Sequence, residues 1–170
     1  MAKLVLNMEK TKWIREKEYC KIFSQVPRIT VDAVVFNKKS EVLLVKRDIP
    51  PHKGSWHLPG GMVKKGERVS QAAARKIKME TGLKIKLQKF VGLWDSPKRS
   101  KAPMVFKSGR KVITHDITLV FVGKIIGGKL RGSWQGKEVK FFKKLPKMFW
   151  EHNKEIEFAR KGKFYWWNNA

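Results

Sequence analysis

The chain has 170 residues, of which 42% are hydrophobic, and a formal net charge of +25 at pH 7. This length suits one compact domain rather than two, and the apolar fraction is high enough for a core, which excludes wholesale disorder. The excess of Lys and Arg excludes a neutral surface. It predicts partners that carry negative charge, such as phosphates, nucleic acid or anionic lipid.

Cysteine content and hydropathy restrict the class of protein further. A single cysteine, Cys20, excludes an internal disulfide framework and a cysteine-rich zinc site. The apolar run at the N-terminus is too short for a signal peptide, and no stretch approaches the roughly 18 apolar residues of a membrane span. We therefore expect a cytoplasmic protein with no membrane partner.

The first half of the chain predicts an amphipathic helix, a hairpin of two strands, a loop, and a short strand that a glycine pair interrupts. In order, these elements cover residues 8–24, 28–36 with 41–46, 48–55 and 56–61. The glycine pair, Gly60 and Gly61, leads from a strand towards a helix. Such a passage surrounds a cleft with backbone N–H groups where a phosphate can bind.

The second half predicts a helix that Gly82 ends, three strands separated by a basic loop, and a last helix. The helices cover 68–81 and about 147–160, the strands 83–94, 112–126 and 138–142, and the loop 95–111. Strands and helices thus alternate, which is typical of the α/β class.

Only 14 residues are acidic, so each carboxylate is informative. Glu67 and Glu80 flank the predicted helix, with Arg75 between them, directly after the glycine pair. This spacing resembles the Nudix box, Gly-x5-Glu-x7-Arg-Glu-U-x-Glu-Glu-x-Gly-U, where U is a bulky aliphatic residue. The matching residues are Gly61, Glu67, Arg75, Ile77, Glu80, Gly82 and Leu83.

The resemblance extends over roughly residues 28–160, including the approach at 54–61 and the segment 138–146. It implies an α/β fold, a Nudix-type α/β/α sandwich with a mixed sheet. The domain would cover 28–170, with the C-terminal helix and an aromatic tail, and 1–27 would be an N-terminal helical extension.

Two box positions depart from the family pattern, because Lys76 and Met79 stand where carboxylates are usual. In the family these carboxylates help to bind Mg²⁺ or Mn²⁺. An ammonium or a thioether cannot ligate Mg²⁺, which takes hard oxygen ligands. Lys76 and Glu80 share one helix face, so the ammonium would offset the negative charge there. We expect one metal at most.

The same two carboxylates are absent from a branch of the family, the GDP-mannose mannosyl hydrolases, in which a single Mg²⁺ suffices and water attacks the sugar carbon. By this resemblance, the Gly60 carbonyl, Glu80 and Gln135 would hold Mg²⁺ (or Mn²⁺). Arg47 would bind the phosphates, and Asp32 in the first strand also looks similar to that branch.

The branch's general base, a His directly after the Gln ligand, is replaced by Gly136. Glu138, His115 or Asp95 could take over, and the sequence does not select among them. A missing base would slow the reaction roughly 10²–10⁴-fold without abolishing metal assistance.

Other site residues carry alternatives. Arg75 either orients Glu67 by a bidentate pair or contacts substrate. Asp32 needs a partner if it is buried, because a lone buried charge is costly, and it would otherwise bind the nucleoside. Trp94 either stacks on a base or sugar or packs in the domain, whereas His52 and His152 are expected at the surface.

Three functions follow from these observations. The first is a one-Mg²⁺ hydrolase of a nucleoside diphosphate linked to another group, with an NDP-sugar such as GDP-mannose as the best single guess. The second is a pyrophosphohydrolase that acts at phosphorus of nucleotides or RNA 5′ ends. The third is an inactive nucleotide- or RNA-binding module. RNA on the basic surface and a second copy of the chain against the aromatic tail are further expected partners.

Overall fold

The computed structural model describes residues 14–48, 52–96, 103–106, 108–133, 136–148 and 151–164. Three helices and nine strands lie within these ranges. The helices are α1 (Glu16–Phe23), α2 (Val69–Thr81) and α3 (His152–Arg160). The strands are β1 (Arg28–Val35), β2 (Val42–Lys46), β3 (Trp56–His57), β4 (Gly60–Met62), β5 (Leu83–Ser96), β6 (Met104–Val105), β7 (Lys111–Val112), β8 (Asp116–Gly128) and β9 (Glu138–Phe142).

The strands form a mixed four-stranded sheet, a three-stranded sheet and a small two-stranded one. In the first, the order is β4-β1-β8-β5, with β1 and β8 parallel and the other pairs antiparallel. In the second, β2 lies between β3 and β9 with antiparallel pairing. The third consists of β6 and β7.

Strand β1 is central, and its alternating side chains divide the core in two. Val31 and Ala33 face the cluster that contains Ile77 of α2. Val34 lies in the other cluster, with Ile156 of α3. Because successive strand residues point to opposite faces, one helix covers each face of the sheet. This arrangement confirms the predicted α/β/α sandwich with a mixed sheet.

Helix α2 follows the local sequence signals closely. Ala72, Ala73 and Ile77 are fully buried at helical spacing, as predicted for the face that meets the sheet. Gly82 adopts a left-handed conformation with φ of 74°, and its N–H donates to the Lys78 carbonyl. The helix therefore ends at the glycine that the sequence indicated.

The predicted hairpin of the first two strands is wrong. Strands β1 and β2 belong to different sheets; the chain between them is closed by a hydrogen bond from the Asn37 amide to the Glu41 carbonyl and by an isolated bridge between Phe36 and Val42. Strand β8 pairs along the whole of β1 and β4 takes the other edge at Thr30–Asp32, while β2 pairs with β3 and β9. The strand predicted around the glycine pair is likewise two strands, β3 in one sheet and β4 in the other.

Other boundaries shift by a few residues. The strand predicted over 112–126 is divided into β7 and β8, and the described parts of the terminal helices are shorter than expected. Residues 1–13, 149–150 and 165–170, which include the ends of these helices and most of the aromatic tail, lie outside the described ranges. None of the described helices is long and apolar enough to span a bilayer.

Helix α1 is fixed to the sandwich by a buried polar contact. Arg28 donates two hydrogen bonds of 2.6 Å to the carboxylate of Asp116 and a third to the Tyr19 hydroxyl. The Tyr19 ring is 3% exposed and packs against Phe23 and Phe106. The domain boundary predicted at residue 27 stays a prediction, since α1 packs directly on the following residues.

Candidate functional site

The glycine pair lies against the central strand with no room for a side chain. Gly60 pairs with Asp32 across β4 and β1. A Cβ atom on Gly60 would stand 2.1 Å from Asp32 Oδ1 and 2.3 Å from the Val31 carbonyl oxygen. Gly61 has φ of 147°, a conformation that L side chains rarely adopt. Only glycine therefore lets β4 approach β1 this closely.

The Glu80 carboxylate connects the last turn of α2 to this glycine pair. Its Oε2 atom accepts a hydrogen bond of 3.2 Å from the Gly60 amide, and its Oε1 atom lies 2.7 Å from Lys76 Nζ. Glu80 is 5% exposed. The sequence prediction that Lys76 and Glu80 share a helix face is thus confirmed, and their contact is a nearly buried ion pair.

Glu67 and Arg75 form the bidentate pair that the sequence predicted. Arg75 donates to both carboxylate oxygens of Glu67, at 2.7 and 2.8 Å, and also to the Met62 carbonyl at 3.0 Å. The hydrogen bonds from Arg75 lower the pKa of Glu67, with a further contribution from the Lys64 amide. This pair braces the segment between β4 and α2, and the geometry gives Arg75 a structural role.

Arg47 follows β2 and adds a second positive charge near Glu80. Burial lowers the pKa of Arg47, and the Glu80 carboxylate opposes that shift. The backbone N–H of Arg47 donates to the Ser55 carbonyl at 2.9 Å, which fixes the start of the loop before β3. Its predicted role as a phosphate-binding residue stays a prediction.

On the opposite face of β1, Asp32 lies beside two buried residues of α3. His152 Nδ1 is 2.9 Å from Glu155 Oε2 and 3.9 Å from Asp32 Oδ2. His152 and Glu155 are 1% and 0% exposed, so the expectation of a surface His152 is wrong. The sequence contained one signal, the i, i+3 spacing of these residues beside the apolar Ile156.

In the described ranges, Asp32, His152 and Glu155 are the one group whose ligand atoms lie close enough to hold a metal ion, all within 4.8 Å of one another. An imidazole together with carboxylates suits Zn²⁺ or Mn²⁺ better than Mg²⁺, which takes oxygen ligands. The residues thus offer a centre separated from Glu80 by the Gly60 backbone.

His57, in β3, has its ring 6.3 Å from that of His152 and is expected to make the protein acid-sensitive. Its Nδ1 atom is 2.7 Å from the Leu58 carbonyl, and burial, with smaller effects from His152, Arg47 and Lys76, lowers its pKa to about 3. Below pH 6.5, the ordinary pKa of histidine, His57 binds a proton in the unfolded chain but not in the folded chain. Stability contributed by this group is therefore complete above pH 6.5 and is lost as the pH falls towards 3.

We expect His57→Asn, whose amide can donate to Leu58, to remove this acid sensitivity. Between pH 7.5 and 5.0, the wild type should lose about 2 kcal/mol more unfolding free energy than the variant, measured by urea denaturation. His52→Asn, in an exposed loop, is the control and should change the pH dependence much less. Parallel pH profiles for the wild type and His57→Asn would contradict the prediction.

The remaining predicted site residues are placed as follows. Trp94 is 2% exposed and packs edge-on against Phe158, so the structure gives it a core position, from which it would reach substrate only if the core opened. Glu138 lies on an exposed edge, where hydrogen bonds from Lys140 and Lys46 lower its pKa to about 2. A carboxylate with so low a pKa is a weak general base.

Of the other two candidate bases, His115 and Asp95 form a pair. His115 Nε2 lies 2.6 Å from Asp95 Oδ1, and both side chains are about one-third exposed. An imidazole held by a carboxylate suits proton transfer, so this pair stays among the candidate bases. The predicted metal ligand Gln135 and its neighbour Trp134 lie outside the described residues.

Comparison with known proteins identifies the family and several relatives of this chain. The family model described as NUDIX domain matches residues 26–163. The ADP-ribose pyrophosphatase of Methanocaldococcus jannaschii is 38% identical over 133 residues, which cover 77% of this chain and 72% of that protein. Nudix hydrolase 6 of Arabidopsis thaliana is 36% identical over 89 residues, 51% of this chain but only 31% of that protein.

Solved structures show the same fold at lower sequence identity. A UDP-X diphosphatase superposes with a TM-score of 0.63 at 18% identity, over 88% of this chain and 73% of its own. An ADP-ribose pyrophosphatase from Streptococcus suis gives a TM-score of 0.61 at 20% identity, over 83% and 96%. At these identities the similarity shows the fold alone.

Proposed function

The chain belongs to the Nudix family, and from this premise we propose that it hydrolyses a nucleoside diphosphate linked to another group. The observation that carries the proposal is its 38% identity, over 77% of its length, to a protein named as an ADP-ribose pyrophosphatase. The bidentate Glu67–Arg75 pair and the contact of Glu80 with Gly60 support it, because they preserve the frame of the box.

The substrate proposed first is ADP-ribose, with GDP-mannose as the alternative from the box resemblance. Both carry a diphosphate between a nucleoside and a sugar. Lys76 and Arg47 supply positive charge near Glu80, which suits a diphosphate. The sequence leaves the identity of the general base open. Among the candidates, His115 is the one that a hydrogen bond to Asp95 holds in place.

The predicted Mg²⁺ or Mn²⁺ site at Gly60 and Glu80 does not fit the described residues as they are arranged. One oxygen of Glu80 lies against the Lys76 ammonium and the other accepts from the Gly60 amide. A cation at this carboxylate would have to displace Lys76. No step of the proposed reaction is therefore assigned to a metal here, and Gln135 lies outside the described residues.

The two substrates differ in the bond that water breaks, and oxygen-18 water distinguishes them. With ADP-ribose, attack at phosphorus breaks the P–O–P linkage and gives AMP and ribose 5-phosphate, with the label in one phosphate. With GDP-mannose, attack at carbon gives GDP and mannose, with the label in the sugar. We expect turnover of ADP-ribose and label in phosphate, detected by mass spectrometry.

Glu80→Gln is expected to lower this turnover by about 100-fold or more, because the carboxylate that holds the Lys76 ammonium in place is lost. Glu151→Gln, at an exposed position directly before α3, is the matched control and should keep full activity. If no nucleoside diphosphate derivative is hydrolysed by the wild type, with or without Mg²⁺, the proposed activity is wrong.

A binding module without turnover is the second candidate, and the ion pair between Lys76 and Glu80 is the observation that favours it. It would appear as nucleotide binding by a wild type that hydrolyses nothing. RNA binding by the basic surface, and pairing of two copies of the chain, stay predictions.

A further inference from the structure

Lys76 occupies a fixed place in the box rather than extending into solvent. Its side chain is 13% exposed, and its Nζ atom lies 2.7 Å from Glu80 Oε1. The aliphatic part passes over Gly61, where an added Cβ would stand 2.4 Å from Lys76 Cε. The lysine therefore packs on the glycine pair. Its ammonium lies at Glu80, while Arg75 pairs with Glu67, the other described carboxylate of the box.

The charge at this end of α2 differs from that of a box with several carboxylates. Glu67 is neutralised by Arg75, and Met79 contributes no charge. Glu80 is paired with Lys76, its carboxylate also acts on the pKa of Arg47, and Asp32 lies across Gly60. An ammonium and a thioether in place of two carboxylates make this end of the box less attractive to a divalent cation, and more attractive to an oxyanion, than a box with several carboxylates.

We propose that Lys76 is the resident cation of this site: its ammonium binds the diphosphate of a nucleotide, so that the nucleotide binds without a divalent metal ion. An ammonium carries three N–H donors in a compact charge, and lysine commonly binds phosphate in this manner. The Glu80 carboxylate orients the ammonium. Gly61 has no side chain and so leaves space for the aliphatic part of Lys76. The inference rests on the proposed function only for the class of ligand.

Calorimetric titration of the whole chain with ADP tests this proposal, in EDTA and in excess Mg²⁺. We expect the wild type to bind ADP with closely similar Kd in both. Lys76→Glu should weaken binding in EDTA by roughly 10–100-fold, the loss of one charge-assisted contact, and recover much of it with Mg²⁺. Lys78→Glu makes the same charge change on the exposed side of α2 and should leave both values unchanged.

Circular dichroism establishes that each variant is folded, and Lys76→Met removes the charge without adding a carboxylate. If Lys76→Glu does not fold, Lys76→Met carries the test and should lose binding in EDTA. ADP binding by the wild type only with Mg²⁺, or equal loss in the Lys76 and Lys78 variants, would overturn the proposal.

Hydrolysis is scored separately, so the two proposals fail differently. Lys76-dependent binding in EDTA with no turnover of any substrate would support the lysine site and reject the hydrolase. Turnover with ADP binding that strictly requires Mg²⁺ would support the hydrolase and reject the lysine site.

Discussion

Gly60→Ala is expected to lower the free energy of unfolding by about 3 kcal/mol or more. An added methyl would meet Asp32 Oδ1 at 2.1 Å and the Val31 carbonyl oxygen at 2.3 Å, and the second of these is backbone that cannot rotate away. Strand β4 would have to move from β1. The Gly60 amide would then leave Glu80, so nucleotide binding should fall as well. Urea denaturation measures the first effect and calorimetric titration with ADP the second.

Gly66→Ala separates this steric effect from a general cost of replacing glycine. Gly66 has φ of 78° with no atom within 4 Å of an added Cβ, so alanine meets only backbone strain there, about 1–2 kcal/mol. We expect Gly66→Ala to be the milder of the two and to keep nucleotide binding. Equal losses of stability in both variants would show that the position of β4 does not depend on close packing of Gly60 on β1.

Replacing Glu155 with leucine is the second change expected to be severe. Its carboxylate is fully buried and lies 2.9 Å from His152 Nδ1, which in turn faces Asp32 at 3.9 Å. Removing one partner leaves the others buried without their counterpart, at a cost of about 3–5 kcal/mol. Helix α3 should loosen from β1, which thermal unfolding and hydrogen exchange of α3 can measure.

Glu151→Gln provides the control for Glu155→Leu within the same segment. Glu151 pairs with Lys154 in solvent at 3.0 Å, and an exposed pair contributes only about 0–1 kcal/mol. A Glu155→Leu variant as stable as Glu151→Gln would contradict the prediction that Asp32, His152 and Glu155 hold α3 against β1.

Unfolding with and without a chelator tests whether these three residues bind a metal ion. A bound metal would make the wild type, but not Glu155→Leu, sensitive to the chelator.

Much of the candidate site could be read from spacing along one helix. Lys76 and Glu80 are four residues apart on α2, so helix geometry alone predicts their contact, whereas the pairing of Glu67 with Arg75 is expected from the order of the box residues. The residues on α3 could not be found in this way. His152 and Glu155 reach Asp32 across more than a hundred residues of chain, and their i, i+3 spacing beside Ile156 does not by itself indicate that the imidazole is buried.

The amino-acid sequence by itself determined the elements whose causes are local. The helix of the box follows from apolar residues at helical spacing, and its end follows from a glycine that tolerates the left-handed conformation. The order of family residues likewise predicted the α/β/α sandwich.

The tertiary structure decided which strands are neighbours and which face each polar residue meets. The first two strands look like a hairpin in sequence, yet β1 pairs with β8 and β4, and β2 joins another sheet. Pairing of this kind depends on competition among segments far apart in the chain. Because side chains alternate between the two faces of β1, Asp32 lies on the side of α3. Gly60 has no side chain, so β4 packs closely on β1 and Glu80 reaches the Gly60 amide.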